Sequence, residues 1–343
     1  MKKKNIDNWI KKRKEHLGKN VPDQLFQRMR KGDMSALSSG ITLVESVNRE
    51  HRENANELVQ QCLPYSGKSI RIGITGVPGV GKSTFIETFG KLFVKQGKKV
   101  AVLAVDPTSS ISGGSILGDK TRMNDLSVDE NVFIRPSPAG DTLGGVARKT
   151  RESILLCEAA GFDVILIETV GVGQSETIVK NMVDFFLLLM LSGAGDELQG
   201  IKKGIMEMAD AVVITKADGD NILTAKTAAR EYKNALHLFP ANSKGWIPQV
   251  LTISAIENKG VEKVLALIDS FHQELIEKGF FYSERREQDK SWLSENLKEM
   301  ILSDFFSNEK MMIELDRIKQ LVNAGELSSY QAAEKIYKYY KND

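Results

Sequence analysis

Gly76-Val77-Pro78-Gly79-Val80-Gly81-Lys82-Ser83 sets a lysine and a hydroxyl at the end of a glycine-rich run, with the spacing G-x-x-x-x-G-K-[ST]. Residues of these types in this order bind phosphate. The glycines let the main chain curl until successive N–H groups point at phosphate oxygens. Lys82 brings a point charge for the β and γ phosphates, and Ser83 offers its hydroxyl to a magnesium ion. Ile70-Arg71-Ile72-Gly73-Ile74 before the run reads as a short buried strand, and Thr84–Phe89 after it repeats apolar residues at helical spacing. A helix starting here adds oriented dipoles that favour an anion. Residues Gly76 to Thr84 are expected to hold a nucleoside triphosphate.

Such a ligand needs a metal and a base pocket, and both have candidates at strand ends. Mg²⁺ takes hard oxygens, usually one or two carboxylates with phosphates and water. Asp106 follows the strand at 99–105, Asp119 lies in the next loop, and Glu168 follows the strand at 163–167. With Ser83 they form the expected magnesium neighbourhood. Gly171-Val172-Gly173-Gln174-Ser175-Glu176 comes directly afterwards, and its glycines suit a loop that senses the γ-phosphate. Base choice falls to Thr215-Lys216-Ala217-Asp218. A carboxylate there accepts two hydrogen bonds from guanine N1 and its 2-amino group, neither of which adenine can donate. Threonine stands where the usual guanine motif has asparagine, which is expected to weaken contacts to the purine N7 face and to the phosphate loop. Ser254-Ala255-Ile256 after the next strand matches the second guanine-contact loop, so GTP and GDP are preferred over adenine nucleotides.

The elements that position these residues alternate from Ser69 to about Ile276 as strand and helix, the pattern of a parallel sheet covered on both faces. Strands are expected at 99–105, 131–135, 163–167, 184–191 and 211–214, a helix at 144–160, and an edge strand at 249–253. The fold class is α/β, a P-loop NTPase with helical N- and C-terminal extensions. Residues 1–64 form the N-terminal extension, with Leu25, Phe26, Met29, Ile41, Leu43 and Val44 spaced for amphipathic helices and Pro22, Gly32 and Gly40 as punctuation. Its opening Lys11-Lys12-Arg13-Lys14 reads as a solvated helix face. Residues 65–279 form the nucleotide domain, and 280–343 a charged helical arm.

The chain has 343 residues and a net charge of +2, so no strong field argues for nucleic acid or anionic lipid as partner. Its longest apolar run, Phe185–Leu191, is too short to span a bilayer. The opening residues lack the apolar core of a signal peptide, and the two cysteines, Cys62 and Cys157, lack metal-type spacing, so a reducing compartment is expected, the cytoplasm first and an organelle matrix as the alternative.

Taken together, Gly76–Ser83, Val105–Ser109, Gly113–Met123, Glu168–Glu176 and Gly193–Gly204 resemble the methylmalonyl-CoA mutase-associated GTPases, of the MeaB/ArgK and cobalamin type A protein kind. These belong to the SIMIBI class of P-loop GTPases. The resemblance runs from about Leu25 to the C-terminal helices. It implies a magnesium-dependent GTPase that chaperones an adenosylcobalamin-dependent acyl-CoA mutase, gating cofactor loading and protecting or reactivating the enzyme. By the same resemblance Gly193–Gly204 is a third switch, in which Lys202 moves toward the nucleotide when the partner docks and Asp196 is its companion. Lys82 and Glu168 complete the implied catalytic set, and the helical extensions imply a homodimer. Intrinsic hydrolysis is expected to be slow, because no glutamine or arginine finger is evident in cis. Alternatives are a nickel or cobalt delivery GTPase of the same superfamily, a transport-linked kinase, a protein kinase-like phosphotransferase, or a purely structural nucleotide-binding module.

Overall fold

The computed structural model describes residues 21–46, 48–105, 123, 125–136, 143–169, 175–193, 203–239 and 245–342. Seven apolar runs lie side by side in it: β1 (Ile70–Gly76), β2 (Val100–Val105), β3 (Val132–Arg135), β4 (Val164–Thr169), β5 (Phe185–Met190), β6 (Ala211–Ile214) and β7 (Gln249–Thr252). They pair in parallel in the order β3-β2-β4-β1-β5-β6-β7. Each expected strand is present, and the 249–253 segment does lie at an edge. Strands β2, β4 and β5 are buried along their whole length. That is why their sequences run apolar without alternation: helices cover both faces.

The helices are α1 (Val21–Arg30), α2 (Met34–Glu45), α3 (Arg49–Cys62), α4 (Lys82–Lys95), α5 (Leu143–Ala159), α6 (Ser175–Lys180), α7 (Lys203–Met208), α8 (Ile222–Leu236), α9 (Val261–Glu277), α10 (Phe280–Ser307), α11 (Glu309–Asn323) and α12 (Ser329–Asn342). No helix among the described residues is long and apolar enough to cross a membrane. Helix α4 matters most, because its first turn carries Lys82 and Ser83, the residues expected from the sequence to meet phosphate and metal. Phe85, Phe89 and Phe93 recur every four residues along its buried face, with ring centroids 5.0 and 4.8 Å apart. Burying each ring is worth about 1.5–3 kcal/mol, so the helix is held against the sheet along three turns. Phe271 of α9 continues this core, packing edge-on against Phe185 and Trp246 at 4.9 Å each.

The chain divides into two compact units, Met1–Arg285 and Arg286–Asp343. In the first, α1, α2 and α3 pack on one another and α2 and α3 on α5. Leu25, Phe26, Met29, Ile41 and Val44 are buried there, as the helical spacing requires. Gly32 does punctuate, with φ of 84° between α1 and α2. Gly40 does not. It sits inside α2, where an added Cβ would lie 3.1 Å from both Leu156 and Met29 and 3.2 Å from Leu58. Close packing of three helices, rather than a break, requires a residue without a side chain. The Lys11–Lys14 segment lies outside the described residues.

Two buried ion pairs hold the amino ends of the strands. Arg71 of β1 forms a fork with Glu158 of α5, at 3.0 and 2.9 Å, and the same carboxylate accepts from the Ser69 hydroxyl and the Gly67 N–H. Arg285 of α10 donates to both oxygens of Asp184 at 2.8 and 2.6 Å and to the carbonyls of Gly67 and Ser69. Burial by itself raises the Glu158 carboxyl, but the Arg71 charge and the converging hydrogen bonds outweigh it and hold its pKa below the ordinary 4.5. A folded-state pKa below the unfolded one adds stability that is complete above the unfolded value and fades as pH falls through the folded value. Unfolding free energy is therefore expected to decline as pH drops below 4.5. Glu158→Gln should reduce that slope, and at neutral pH it should cost about 3–5 kcal/mol because the buried guanidinium loses its counter-charge. Urea denaturation at stepped pH measures both effects, and an unchanged acid slope would remove Glu158 from the account.

Within the second unit α11 and α12 pack on each other. Met311, Ile318 and Ala332 are buried, and Phe305 meets Tyr340 edge-on at 5.3 Å. Two of the arm's aromatic residues thus fill a helix interface, while Tyr330 and Tyr337 are exposed.

Candidate functional site

The phosphate loop connects the end of β1 to the start of α4, at the carboxyl edge of the sheet where ligands of open α/β folds bind. β1 lies between β4 and β5 in that sheet. Gly76, the last residue of β1, passes so near β5 that an added Cβ would lie 2.5 Å from the Leu189 carbonyl oxygen. Gly81 has φ of 96°, the left-handed conformation that turns the loop into the helix. From the first turn of α4 the Lys82 ammonium reaches back and donates to the Gly76 carbonyl at 2.8 Å and to Val77 at 3.4 Å. The lysine therefore spans the cup of the loop, where incoming phosphate oxygens would replace these carbonyls. Ser83 is buried beneath the loop and Thr84 is exposed at its rim. Gly76→Ala should destabilise the fold by about 1–3 kcal/mol through the backbone clash and weaken GDP binding with it. Thermal unfolding and calorimetric titration check the two together, and a variant of parental stability would show that the loop has room to relax.

Glu168 is buried at the carboxyl end of β4, in register with Ile74 of β1 and Ala104 of β2. Next to it the Thr169 hydroxyl donates to that of Thr75 at 2.8 Å, fastening β4 to β1 directly under the loop. Strand β2 ends with Val105 paired to Thr169, one residue beyond Glu168 on β4. A serine hydroxyl and a buried carboxylate at adjoining strand and helix ends are hard oxygen donors that fit Mg²⁺ with a phosphate. Among the described residues no cluster of three or more His, Cys, Asp or Glu could hold a metal ion by itself. Asp106, Asp119, Gly171–Gln174, Asp196 and Lys202 lie outside the described residues. Glu176, in the segment read as the second switch, is buried in α6.

The base segment follows β6. Asp218 is half-buried, and one of its carboxylate oxygens accepts from the Ser254 hydroxyl at 2.5 Å. Thus the two stretches read as guanine contacts do meet. Ala217 donates to the Ile253 carbonyl at 2.9 Å, which sets the two loops side by side. Lys216 has φ of 53° and its carbonyl accepts from the Asn221 amide at 2.6 Å. Ala255 is tied to α4 through its carbonyl, which accepts from Thr88 at 3.1 Å, and Ile256 is exposed. Threonine at 215 does keep a tie to the phosphate loop, its hydroxyl donating to the Val80 carbonyl at 2.7 Å.

Two positioning residues escape the sequence reading. Asn221 joins Lys216 to Ser192, whose hydroxyl donates to its Oδ1 at 2.7 Å. An asparagine in the turn before a helix is a recognisable turn residue, and that signal was available. For Thr88 there is none, because its partner is 167 residues away.

A family model described as the methylmalonyl-CoA mutase-associated GTPase MeaB matches residues 37–310. The chain belongs to the MeaB family. It is 50% identical over 314 residues to a probable GTPase of Mycobacterium tuberculosis, spanning 92% of this chain and 94% of that protein. It is 48% identical to the GTPase ArgK of Escherichia coli, over 83% of this chain and 86% of that one. With the mitochondrial methylmalonic aciduria type A homolog of mouse it shares 46% identity over 93% of this chain and 80% of that one. A crystal structure named as an LAO/AO transport system kinase superposes with a TM-score of 0.75 at 38% identity, covering 94% of this chain and 98% of the other. This MeaB-family protein is therefore a P-loop GTPase of the SIMIBI class, with GTP and GDP as its nucleotides and Mg²⁺ as its ion.

Proposed function

We propose that this MeaB-family GTPase is the chaperone of an adenosylcobalamin-dependent acyl-CoA mutase of the methylmalonyl-CoA type, gating cofactor loading and protecting or reactivating the mutase through GTP hydrolysis. The observation that carries this reading is the family match over residues 37–310, since that family is described by its association with the mutase. In this reading the loop N–H groups and Lys82 hold the β and γ phosphates while Asp218 reads the guanine edge, with Thr215, Lys216, Ser254, Ala255 and Ile256 around the base. Ser83, Asp106, Asp119 and Glu168 hold Mg²⁺, which when bound draws off negative charge from the phosphates. Water attacks the γ-phosphorus, the bond to the bridging oxygen breaks so that GDP leaves with that oxygen, and one proton of the water passes to an oxygen of the new inorganic phosphate. The charge on the γ-oxygens is stabilised by Lys82 and the loop N–H groups. Lys202, with Asp196 beside it, supplies further positive charge once the mutase has docked.

The path from Ser192 through Asn221 to Lys216 supports this reading, because it ties the root of the Gly193–Gly204 loop to the base segment. Leu293, Leu297 and Ile301 are exposed at four-residue spacing along α10 and would be covered in a homodimer formed by the C-terminal arms. Both cysteines are buried free thiols, the state a reducing cytoplasm maintains. The test is adenosylcobalamin loading of apo-mutase, followed by absorbance, with GTP or a non-hydrolysable analogue. Loading that depends on hydrolysis and falls in Lys202→Ala is expected. Loading indifferent to nucleotide would contradict the proposal and reopen metal delivery and transport-linked phosphotransfer.

A further inference from the structure

Guanine recognition in a P-loop GTPase has two edges to read: the N1 and 2-amino donors, and the N7 acceptor. The first needs a carboxylate and the second needs a hydrogen-bond donor. Residue 215 stands where the donor would come from. Its hydroxyl has a single hydrogen, and that hydrogen faces two main-chain carbonyls, Val80 at 2.7 Å and Met190 at 3.2 Å. The Thr215 N–H is likewise spent, donating to Met190 at 2.8 Å. Only 3% of the residue is exposed. Asn221, the asparagine nearest in sequence, turns its amide to the Lys216 carbonyl at 2.6 Å.

We propose that Thr215 makes this GTPase indifferent to the purine N7 and acts instead as a positioning residue that couples the base segment to the phosphate loop. Guanine is then selected through its N1 and 2-amino edge alone, by Asp218. This rests on the reading of Thr215–Asp218 as the base segment. Val80 is itself fully buried, and its carbonyl lies in the turn that brings the phosphate-binding N–H groups into line. Losing the Thr215 hydroxyl would leave that carbonyl short of a donor at the centre of the loop. The damage would appear in the binding of the phosphates, though the altered residue sits in the base segment.

The experiment is calorimetric titration of the full chain with Mg²⁺ and GDP, 7-deaza-GDP, in which carbon replaces N7, or XDP. GDP and 7-deaza-GDP should bind the parent protein within about twofold of each other, since no donor is stranded by the missing nitrogen. Thr215→Val should weaken both nucleotides alike by about tenfold, and Thr215→Ser should recover most of that loss. Thr215→Asn brings an amide donor and should make binding sensitive to N7. A parent protein that binds 7-deaza-GDP at least about tenfold more weakly than GDP overturns the inference, as does a Thr215→Val variant that binds like the parent. Asp218→Asn separates this failure from failure of the underlying reading. If that variant changes its preference from GDP to XDP, the base segment is correctly placed whatever N7 does. If it does not, the reading fails and the inference with it.

Discussion

Lys82→Ala is expected to lower the rate of GTP hydrolysis by about 10²–10³-fold, with a parallel loss of triphosphate affinity. The size follows from where the charge sits. Its ammonium lies across the phosphate cup on the carbonyls of Gly76 and Val77, held by an aliphatic stem rooted in the first turn of α4. No reorganisation of the fold is needed to bring it to the γ-oxygens, so its contribution is preorganised and disappears whole with the side chain. Phosphate release under single-turnover conditions measures the loss. The melting temperature of the variant serves as control, because those two hydrogen bonds are local to the loop. A rate within a factor of a few of the parent would mean that phosphoryl transfer uses another cation.

The second large effect is a change of specificity. Asp218→Asn replaces two acceptor oxygens by one acceptor and one donor. Guanine presents two donors to this edge, so the new amide N–H meets the 2-amino group and the pairing fails. Xanthine keeps the N1 donor but carries a carbonyl at C2, which the amide can satisfy. GTP turnover at low concentration should fall by about 10³-fold or more while XTP gains. Ser254 already donates to the Asp218 carboxylate at 2.5 Å, which orients it from the neighbouring loop. Ser254→Ala should therefore weaken GTP binding in the same direction and to a much smaller extent. Competition between GTP and XTP in one assay reads the switch directly, and equal losses for both nucleotides would mean that Asp218 supports the loop without reading the base.

How far the sequence alone reveals this molecule depends on the range of the interactions. The seven strands were legible because parallel strands buried on both faces demand unbroken apolar runs such as Phe185–Met190. The phosphate loop was legible because its chemistry is compressed into eight consecutive residues. Asp218 and Ser254 were legible as separate strand-end motifs, and the parallel pairing of β6 with β7 brings them together. What stayed hidden was set by distant partners. Gly40 looks like a helix break until Leu58 and Leu156 are seen against it. Thr215 looks like a loss of contact until its hydroxyl is found on Val80, 135 residues earlier in the chain. The lock of Arg285 on Asp184 spans 101 residues, and no local pattern marks either side chain as buried.

The most direct measurement is GTP hydrolysis at saturating Mg²⁺, with and without an adenosylcobalamin-dependent acyl-CoA mutase from the same organism. Slow turnover is expected of the protein alone, and the mutase should accelerate it at least about tenfold, an effect lost in Lys202→Ala. An equal rate with and without the mutase, or fast hydrolysis by the protein alone, would contradict the proposed function.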